Sequence, residues 1–326
     1  MTDPLTTAST TSLRADEVAA VVELVEAAAV ADGFSALNEA ALLHLRHDRP
    51  GVVHVLAQRG PRLVGYAQLD GGPTGAFTST GQLVVSPGDR RSGVGSALLS
   101  ELLGITVTPL QLWAMGNTPA ARALAVRHAL RPARTLLIMT RPLNDPIPDA
   151  PVADGVLIRT FVVGQDEEDW LQVNARAFWS HPEQGQLTRA DLDDRMAEDW
   201  FDPEGFFVAV PAVPAADTDG SSSTGDRPTG LLGFHWTKQH PDHLGEVYVL
   251  GVDPAAGSRG LGRALLVRGL QHLRKRGNSL VQLYVEADHD RAVGLYSSYG
   301  FTESSRDVMY AQDDHVAPEH TTQQEN

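Results

Sequence analysis

Apolar residues recur at helical spacing at Val18, Val21, Val22 and Val25, and the run stops at Asp32-Gly33, where a glycine can end a helix. Residues 52–57 and 63–70 are apolar runs of strand length joined by a Gly60-Pro61 turn. A strand into Val85, a helix from about Gly95, a strand over 110–114, a helix over 119–129 and a strand over 136–140 complete the first half. The second half repeats the order: a helix over 167–178, strands over 206–210 and 231–236, and a strand over 245–252. A helix over 261–276, a strand over 280–285, a helix over 291–299 and a terminal strand follow. Such alternation predicts an α/β fold whose sheets mix parallel and antiparallel strands, an α+β mixed sheet in each half.

The two halves also match letter by letter. Val85, Pro87, Gly93, Gly95, Leu98 and Leu99 each find the same residue 167 positions later, at Val252, Pro254, Gly260, Gly262, Leu265 and Leu266. A period of that size is a domain and not a solenoid unit, so the chain is expected to carry two related domains in tandem. Prolines cluster from Arg141 to Gly155, marking an extended linker, and the expected limits are 1–145, a linker at 146–155, and 156–312. The polar stretch at 211–229 reads as a disordered hairpin insertion, and 313–326 as a polar tail.

Composition narrows the chemistry. With no cysteine there is no disulfide framework, thiolate metal site or cysteine nucleophile. A net charge of −15 gives no electrostatic footprint for nucleic acid or an anionic membrane. No apolar run approaches the roughly 20 residues of a bilayer span. The polar N-terminus has no apolar core of a signal peptide, so the expected protein is a soluble, cytoplasmic monomer. His235, His240 and His243 lie near Asp242, but strand-to-hairpin spacing does not put them on one face, and no metal is expected.

The chemistry sits at the repeated glycine turn. A strand, a proline, Gly-x-Gly and an amphipathic helix leave unpaired amides that suit a phosphate or pyrophosphate. Leu98 and Leu265 stand where a dinucleotide fingerprint needs glycine, and Val94 stands where a P-loop needs lysine. Arg90-Arg91-Ser92-Gly93-Val94-Gly95 resembles the acyl-CoA pyrophosphate loop of the GCN5-related N-acetyltransferases (GNAT). Gly257-Ser258-Arg259-Gly260-Leu261-Gly262 resembles it too, with Gly257 at the Arg/Gln position, and so does Tyr296-Ser-Ser-Tyr-Gly300-Phe301 farther on. The tandem arrangement is similar to the actinobacterial mycothiol synthase family, through Asp32-Gly33, Asn38-Glu39, His181-Pro-Glu183, Trp200-Phe-Asp-Pro203, 246–254 and Leu283-Tyr-Val-Glu286.

This resemblance implies two GNAT-like domains and acetyl-CoA as co-substrate. Its contacts would be Leu83, Val84, Val85 and Arg90 to Gly95 in the first half. In the second they would be Leu250, Gly251, Val252, Gly257 to Gly262, Arg263, His289, Asp290, Arg291, Ala292, Val293 and Gly294. It implies acetylation of the cysteinyl amine of a cysteinyl-glucosaminyl-inositol, with Glu39, Glu183, Lys238, Glu246 and Tyr284 contacting that small molecule in a groove bridging both domains.

Acetyl transfer needs a neutral amine, and an α-amine of pKa about 7.7–8.0 loses its proton at a cost of only about 1–1.4 kcal/mol at pH 7. Glu246 is the expected base, and alternation along a regular strand would put Glu246, Tyr248 and Leu250 on one face. The resemblance further implies Tyr296 as proton donor to the leaving thiolate and the Val252 amide, at a bulge splaying two parallel strands, as oxyanion donor. In the first half Ser79 and Leu124 fall at the positions of Glu246 and Tyr296, so that half is expected to bind acetyl-CoA without turnover. A tandem GNAT acting on another amine, and an acetyl-CoA sensor without turnover, remain open alternatives.

Overall fold

The computed structural model describes residues 3–47, 49–71, 78–180, 182–212, 230–256 and 260–312, with the side chains of Pro182 and Glu183 outside that description. The first half runs β1 (Leu5–Thr10), α1 (Ala15–Asp32), α2 (Glu39–Arg46), β2 (Val52–Arg59), β3 (Arg62–Asp70), β4 (Ser79–Val85) and α3 (Val94–Ile105). It ends with β5 (Leu110–Ala114), α4 (Pro119–Arg127) and β6 (Leu130–Pro142). The second half runs β7 (Val156–Thr160), α5 (Glu167–Ala177), α6 (Pro182–Gly185), α7 (Arg189–Met196), β8 (Phe206–Pro211), β9 (Gly233–His240) and β10 (Leu244–Val252). It closes with α8 (Leu261–Lys275), β11 (Leu280–Glu286), α9 (Asp290–Ser298) and β12 (Thr302–Gln312). The class is mixed α/β, as the pattern predicts. Among the described residues no helix is long and apolar enough to cross a membrane. The insertion expected at 211–229, apart from Pro211 and Ala212, and the tail at 313–326 lie outside the described residues.

Two compact units divide the chain, and neither is one continuous stretch. The first holds the chain through Leu137, Glu286–Asp288 and the chain from Ser305 on; the second holds Ile138–Val285 and His289–Ser304. The duplication in the sequence and the compact units therefore part company at β6 and β12. The proline-rich stretch also starts later than its composition suggests. Arg141 and Pro142 still belong to β6, and the Arg141 side chain is buried, donating to Tyr299 O at 2.7 Å and to Asp145 O and Pro146 O at 3.2 Å.

In the first unit, β1 to β4 are successive antiparallel neighbours. β4 pairs parallel with β5, and Val308–Ala311 of β12 pair antiparallel with β5. Leu98, Leu99 and Leu102 of α3 cover one face with Val55, Val64 and Leu110. Val21 and Leu24 of α1 and Leu45 of α2 cover the other with Leu56, Tyr66 and Val84. The second unit repeats the plan: Leu261 and Leu265 of α8 pack with Phe207, Ala209 and Leu250 on one face. Trp170 and Val173 of α5 pack with Phe206, Val208, Phe234, Trp236 and Val249 on the other. Burying each such large side chain contributes about 1.5–3 kcal/mol.

His235 shows how tightly α8 seats on its sheet. The ring is fully buried, its Nδ1 donates to Leu265 O at 2.8 Å, and a β-carbon at Gly269 would overlap it. Burial pushes the imidazole pKa down to about 4. An unfolded His titrates near 6.5, so the unfolded chain binds more protons between about pH 6.5 and 4 and stability is lost as pH falls through that window.

Gly269→Ala is expected to cost about 1–3 kcal/mol, despite alanine's helix propensity, because the ring has nowhere to go. Gly104→Ala, in α3 with nothing within 4 Å of the added carbon, is expected to stabilise by up to about 1 kcal/mol. Differential scanning calorimetry reads the opposite signs as a lowered and a raised Tm. NMR titration of the intact protein is expected to show His235 ring shifts flat above pH 5.

Candidate active site

The site begins with a strand irregularity. β10 pairs with β9 from Leu244–His240 to Val252–Gly233, but the register slips between Val247 and Val249, leaving Tyr248 as an extra residue. A bulge places two consecutive side chains on the same side. Gly245 faces α8, where a β-carbon would meet Leu273, so Glu246 faces the α5 side. Tyr248 and Val249 both pack on that side too, while Leu250 and Val252 pack with α8. The regular alternation that would group Leu250 with Glu246 and Tyr248 is thus overturned. The bulge also lies at Tyr248, not at Val252.

On its other edge β10 pairs parallel with β11, and this register runs only from Leu244–Leu280 to Val247–Leu283 although both strands continue. An opening follows between them. Asp253 N–H donates to Leu232 O at 3.0 Å, on the β9 side, so the Val252 N–H one residue earlier faces the opening. Gly262 in the first turn of α8 would place a β-carbon 3.7 Å from Val252 Cγ2 and 4.0 Å from Leu295 Cδ2. The end of β10, the start of α8 and α9 therefore converge on one side of the opening. α8 begins on Gly260 at φ 69°, with no side-chain cap, and among the described residues no capping oxygen meets its first amides. Gly257, Ser258 and Arg259 lie outside the described residues.

The other face of the opening carries the polar residues. Glu246 is buried, with 8% of its side chain exposed, and its Oε2 accepts from Gln282 Nε2 at 2.9 Å and bonds His240 Nε2 at 2.6 Å. Lys238 is the direct β9 partner of Glu246, and its Nζ sits over the rings of Trp200 at 4.2 Å and Tyr248 at 5.3 Å. Arg195 Nε donates to Tyr248 Oη at 2.9 Å. Tyr284, two residues beyond Gln282 and so on the same face, is 43% exposed. Of the residues singled out from sequence, Lys238, Glu246 and Tyr284 thus share a face. His240, Gln282 and Tyr248 join them, and the sequence signal for His240 was its place two residues beyond Lys238 on the same strand.

Tyr296 in α9 is buried against Phe301, and burial pushes its phenol pKa up, so the phenol stays protonated. His289 precedes the first turn of α9 without a side-chain cap, ahead of Asp290, Arg291, Ala292, Val293 and Gly294. Glu39 opens α2 in the first unit, behind Asn38, whose side chain accepts from Ala41 N. The Glu183 side chain lies outside the described residues. His235 faces α8 while His240 bonds Glu246, so the histidine cluster is split across the sheet. Among the described residues no group of three His, Cys, Asp or Glu is arranged for a metal ion.

The first unit repeats the opening but not the acid. Its β4–β5 pairing covers only Ser79–Leu110 to Gly81–Leu112, and α3 begins on Gly93 at φ 90° without a side-chain cap. Arg90 is bidentate to Asp32 at 2.7 and 2.8 Å, and Arg62 grips Asp89 at 2.7 and 2.9 Å, which holds the Asp89 carboxyl below its ordinary range. β4 has no bulge, so the register position of Glu246 is Thr80, paired with Asp70 as Glu246 is with Lys238. Helices α4 and α9 are both nine residues long and start at Pro119 and Asp290, 171 positions apart. On that spacing Leu124 matches Leu295, each within 4.0 Å of a β-carbon placed at its own Gly95 or Gly262, and Ala125 takes the place of Tyr296. Ser79 and Leu124 are therefore corrected to Thr80 and Ala125; neither replacement supplies a carboxylate or phenol.

The profile described as "Acetyltransferase (GNAT) family" matches residues 19–128 and 168–301. The mycothiol acetyltransferase of Thermomonospora curvata is 48% identical over 295 residues, 90% of this chain and 93% of that protein. That of Catenulispora acidiphila is 46% identical over 317 residues, 90% of this chain and 95% of that protein. A tandem GNAT protein from the clavulanic acid biosynthesis pathway shares the fold at TM-score 0.69 and 20% identity, covering 94% of this chain and 98% of that one. A GCN5-related N-acetyltransferase from Sphaerobacter thermophilus does so at TM-score 0.63 and 23% identity, with 94% and 95% covered. The glycine-capped helices, the repeated strand openings and these relatives agree: the chain belongs to the acetyltransferase (GNAT) family and is an N-acetyltransferase.

Proposed function

We propose that this enzyme transfers the acetyl group of acetyl-CoA to the cysteinyl amine of a cysteinyl-glucosaminyl-inositol, giving mycothiol, by direct attack with both substrates bound together. The observation that carries the reading is the opening beside β10, with a buried carboxylate on one face and an uncapped helix start on the other. Relatives named mycothiol acetyltransferase support the mycothiol reading, and the cysteinyl amine as acceptor is what the resemblance of the site residues implies.

The residues fit acetyl-CoA. Free amides at the start of α8, with the helix dipole behind them, suit a diphosphate, and Gly260 and Gly262 leave its approach clear. Leu250 to Val252, Gly260 to Arg263 and the first turn of α9 from His289 would line it. Acetyl-CoA supplies the thioester carbonyl; the protein's part is positioning and proton handling.

Glu246 takes the proton from the amine, whose nitrogen bonds the carbonyl carbon as the carbon–sulfur bond breaks. The Val252 N–H, turned into the opening, stabilises the charge that builds on the carbonyl oxygen. Tyr296, held protonated by burial, returns a proton to the leaving sulfur. Lys238 and Tyr284 hold hydroxyl or amide groups of the acceptor beside Glu246. The first unit binds acetyl-CoA at Leu83 to Val85 and Arg90 to Gly95 without turnover, because Thr80 and Ala125 stand in for the base and the acid.

Combining Glu246→Gln with Tyr296→Phe is expected to lower single-turnover acetylation by about 10²–10⁴-fold while acetyl-CoA affinity changes little. The acetylated product is to be followed by mass, because the acceptor carries its own thiol and confounds dyes that detect released CoA. Unchanged rates in the double variant would remove this mechanism; acetylation only of other amines in a panel would replace the acceptor.

A further inference from the structure

We infer that His240 is a positioning residue for Glu246, holding one carboxylate oxygen so that the other stays available to the acceptor amine. This rests on the reading of Glu246 as base.

Both donors found on Glu246 converge on a single atom. His240 Nε2 lies 2.6 Å and Gln282 Nε2 2.9 Å from Oε2, and no described residue bonds Oε1. A buried carboxylate left without donors is costly, whereas one whose two oxygens are both saturated accepts a proton poorly. Two donors on Oε2 meet the first demand and leave Oε1 to meet the second.

The reach of His240 follows from strand register. Lys238 is opposite Glu246 and His240 is opposite Leu244, so His240 is the diagonal same-face neighbour of Glu246. The hairpin that carries it is fixed at its tip. Asp242 and His243 both adopt φ 59°, His243 O accepts from Ser279 N at 2.9 Å, and His243 Nδ1 donates to Gly277 O at 3.1 Å. The turn is thereby tied to the connection between α8 and β11, and His240 approaches Glu246 from a rigid mount. Its side chain, 27% exposed, also shields the buried carboxylate from solvent on that side.

The test compares His240→Ala, His240→Gln, Glu246→Gln and the Glu246→Gln/His240→Ala double variant in single-turnover acetylation of the cysteinyl-glucosaminyl-inositol, with acetyl-CoA affinity and Tm measured in parallel. His240→Ala is expected to slow acetylation by about ten- to a hundredfold with acetyl-CoA affinity unchanged. His240→Gln, whose amide nitrogen can reach Oε2, is expected to recover most of that loss. The double variant is expected to be no slower than Glu246→Gln alone, because His240 acts only through the carboxylate. Wild-type rates in His240→Ala, losses that multiply in the double variant, or a glutamine no better than alanine would each overturn the inference. A fully active Glu246→Gln would overturn the base assignment itself, and is read separately from the His240 variants.

Discussion

One extra residue in β10 governs the geometry of the second unit. Without the bulge at Tyr248, strict alternation from Glu246 would carry Val249, Leu250 and Val252 to the wrong side of the sheet. With it, Glu246 faces the side lined by Lys238, Gln282 and Tyr284, while Leu250 and Val252 pack with α8. The same slip coincides with the end of pairing to β11 and leaves the Val252 N–H without that neighbour. A local cost in ladder hydrogen bonds thus produces the opening through which groups on the two faces can meet.

The first unit shows what the same scaffold does without that residue. β3 and β4 pair without a slip, and the face under α2 carries a hydrogen-bonded polar set in place of an acid. Tyr66 Oη bonds His54 Nδ1 at 2.7 Å and accepts from Gln68 Nε2 at 2.9 Å, and Gln82 Oε1 accepts from Asn38 N at 2.7 Å. The register counterparts of Tyr66 and Gln68 in the second unit are Phe234 and Trp236, part of an aromatic cluster with Phe206 and Trp170. In the first unit buried polar groups satisfy one another and α2 seals them in. In the second, aromatic rings take the places of Tyr66 and Gln68, and Glu246 bonds His240 and Gln282 farther along the same face.

Much of this was legible from the sequence, and the exceptions have physical causes. Helices with a wide apolar stripe, such as α8, and strands bounded by glycine or proline are where the periodicity places them. β1, β7 and α7 were not visible: LTTAST and VLIRT are short strands at sheet edges with half-exposed patterns, and α7 buries only Leu192. Lys238, Glu246 and Tyr284 could be singled out through the family resemblance, because a motif survives any register. Their faces could not, since a bulge changes no letter of the pattern, only the count. Aligning the halves without gaps therefore led to Ser79, one residue from the register partner Thr80, and matching Asn117-x-x-Ala120 to His289-x-x-Ala292 led to Leu124, one residue from Ala125 on the 171-residue spacing of the helix starts.

The helix starts show where stability was given up. α2, α4 and α7 each close their first turn with a side chain, from Asn38, Thr118 and Thr188. Such a cap is worth about 1 kcal/mol. α3 and α8 begin instead on left-handed glycines with no side chain to offer, and α9 begins on His289 without a cap. An Asn in the left-handed conformation is tolerable at such a position, so geometry alone does not demand glycine there. What glycine adds is the absence of any internal acceptor competing for the first amides. Two helices of a duplicated fold both forgo their caps at the same place beside the same strand opening, which leaves their first amides open to an anion from outside. Since a chain of net charge −15 repels anions at long range, any anion drawn to these helix starts would be held at short range by amides and helix dipoles and not by a lysine-rich surface.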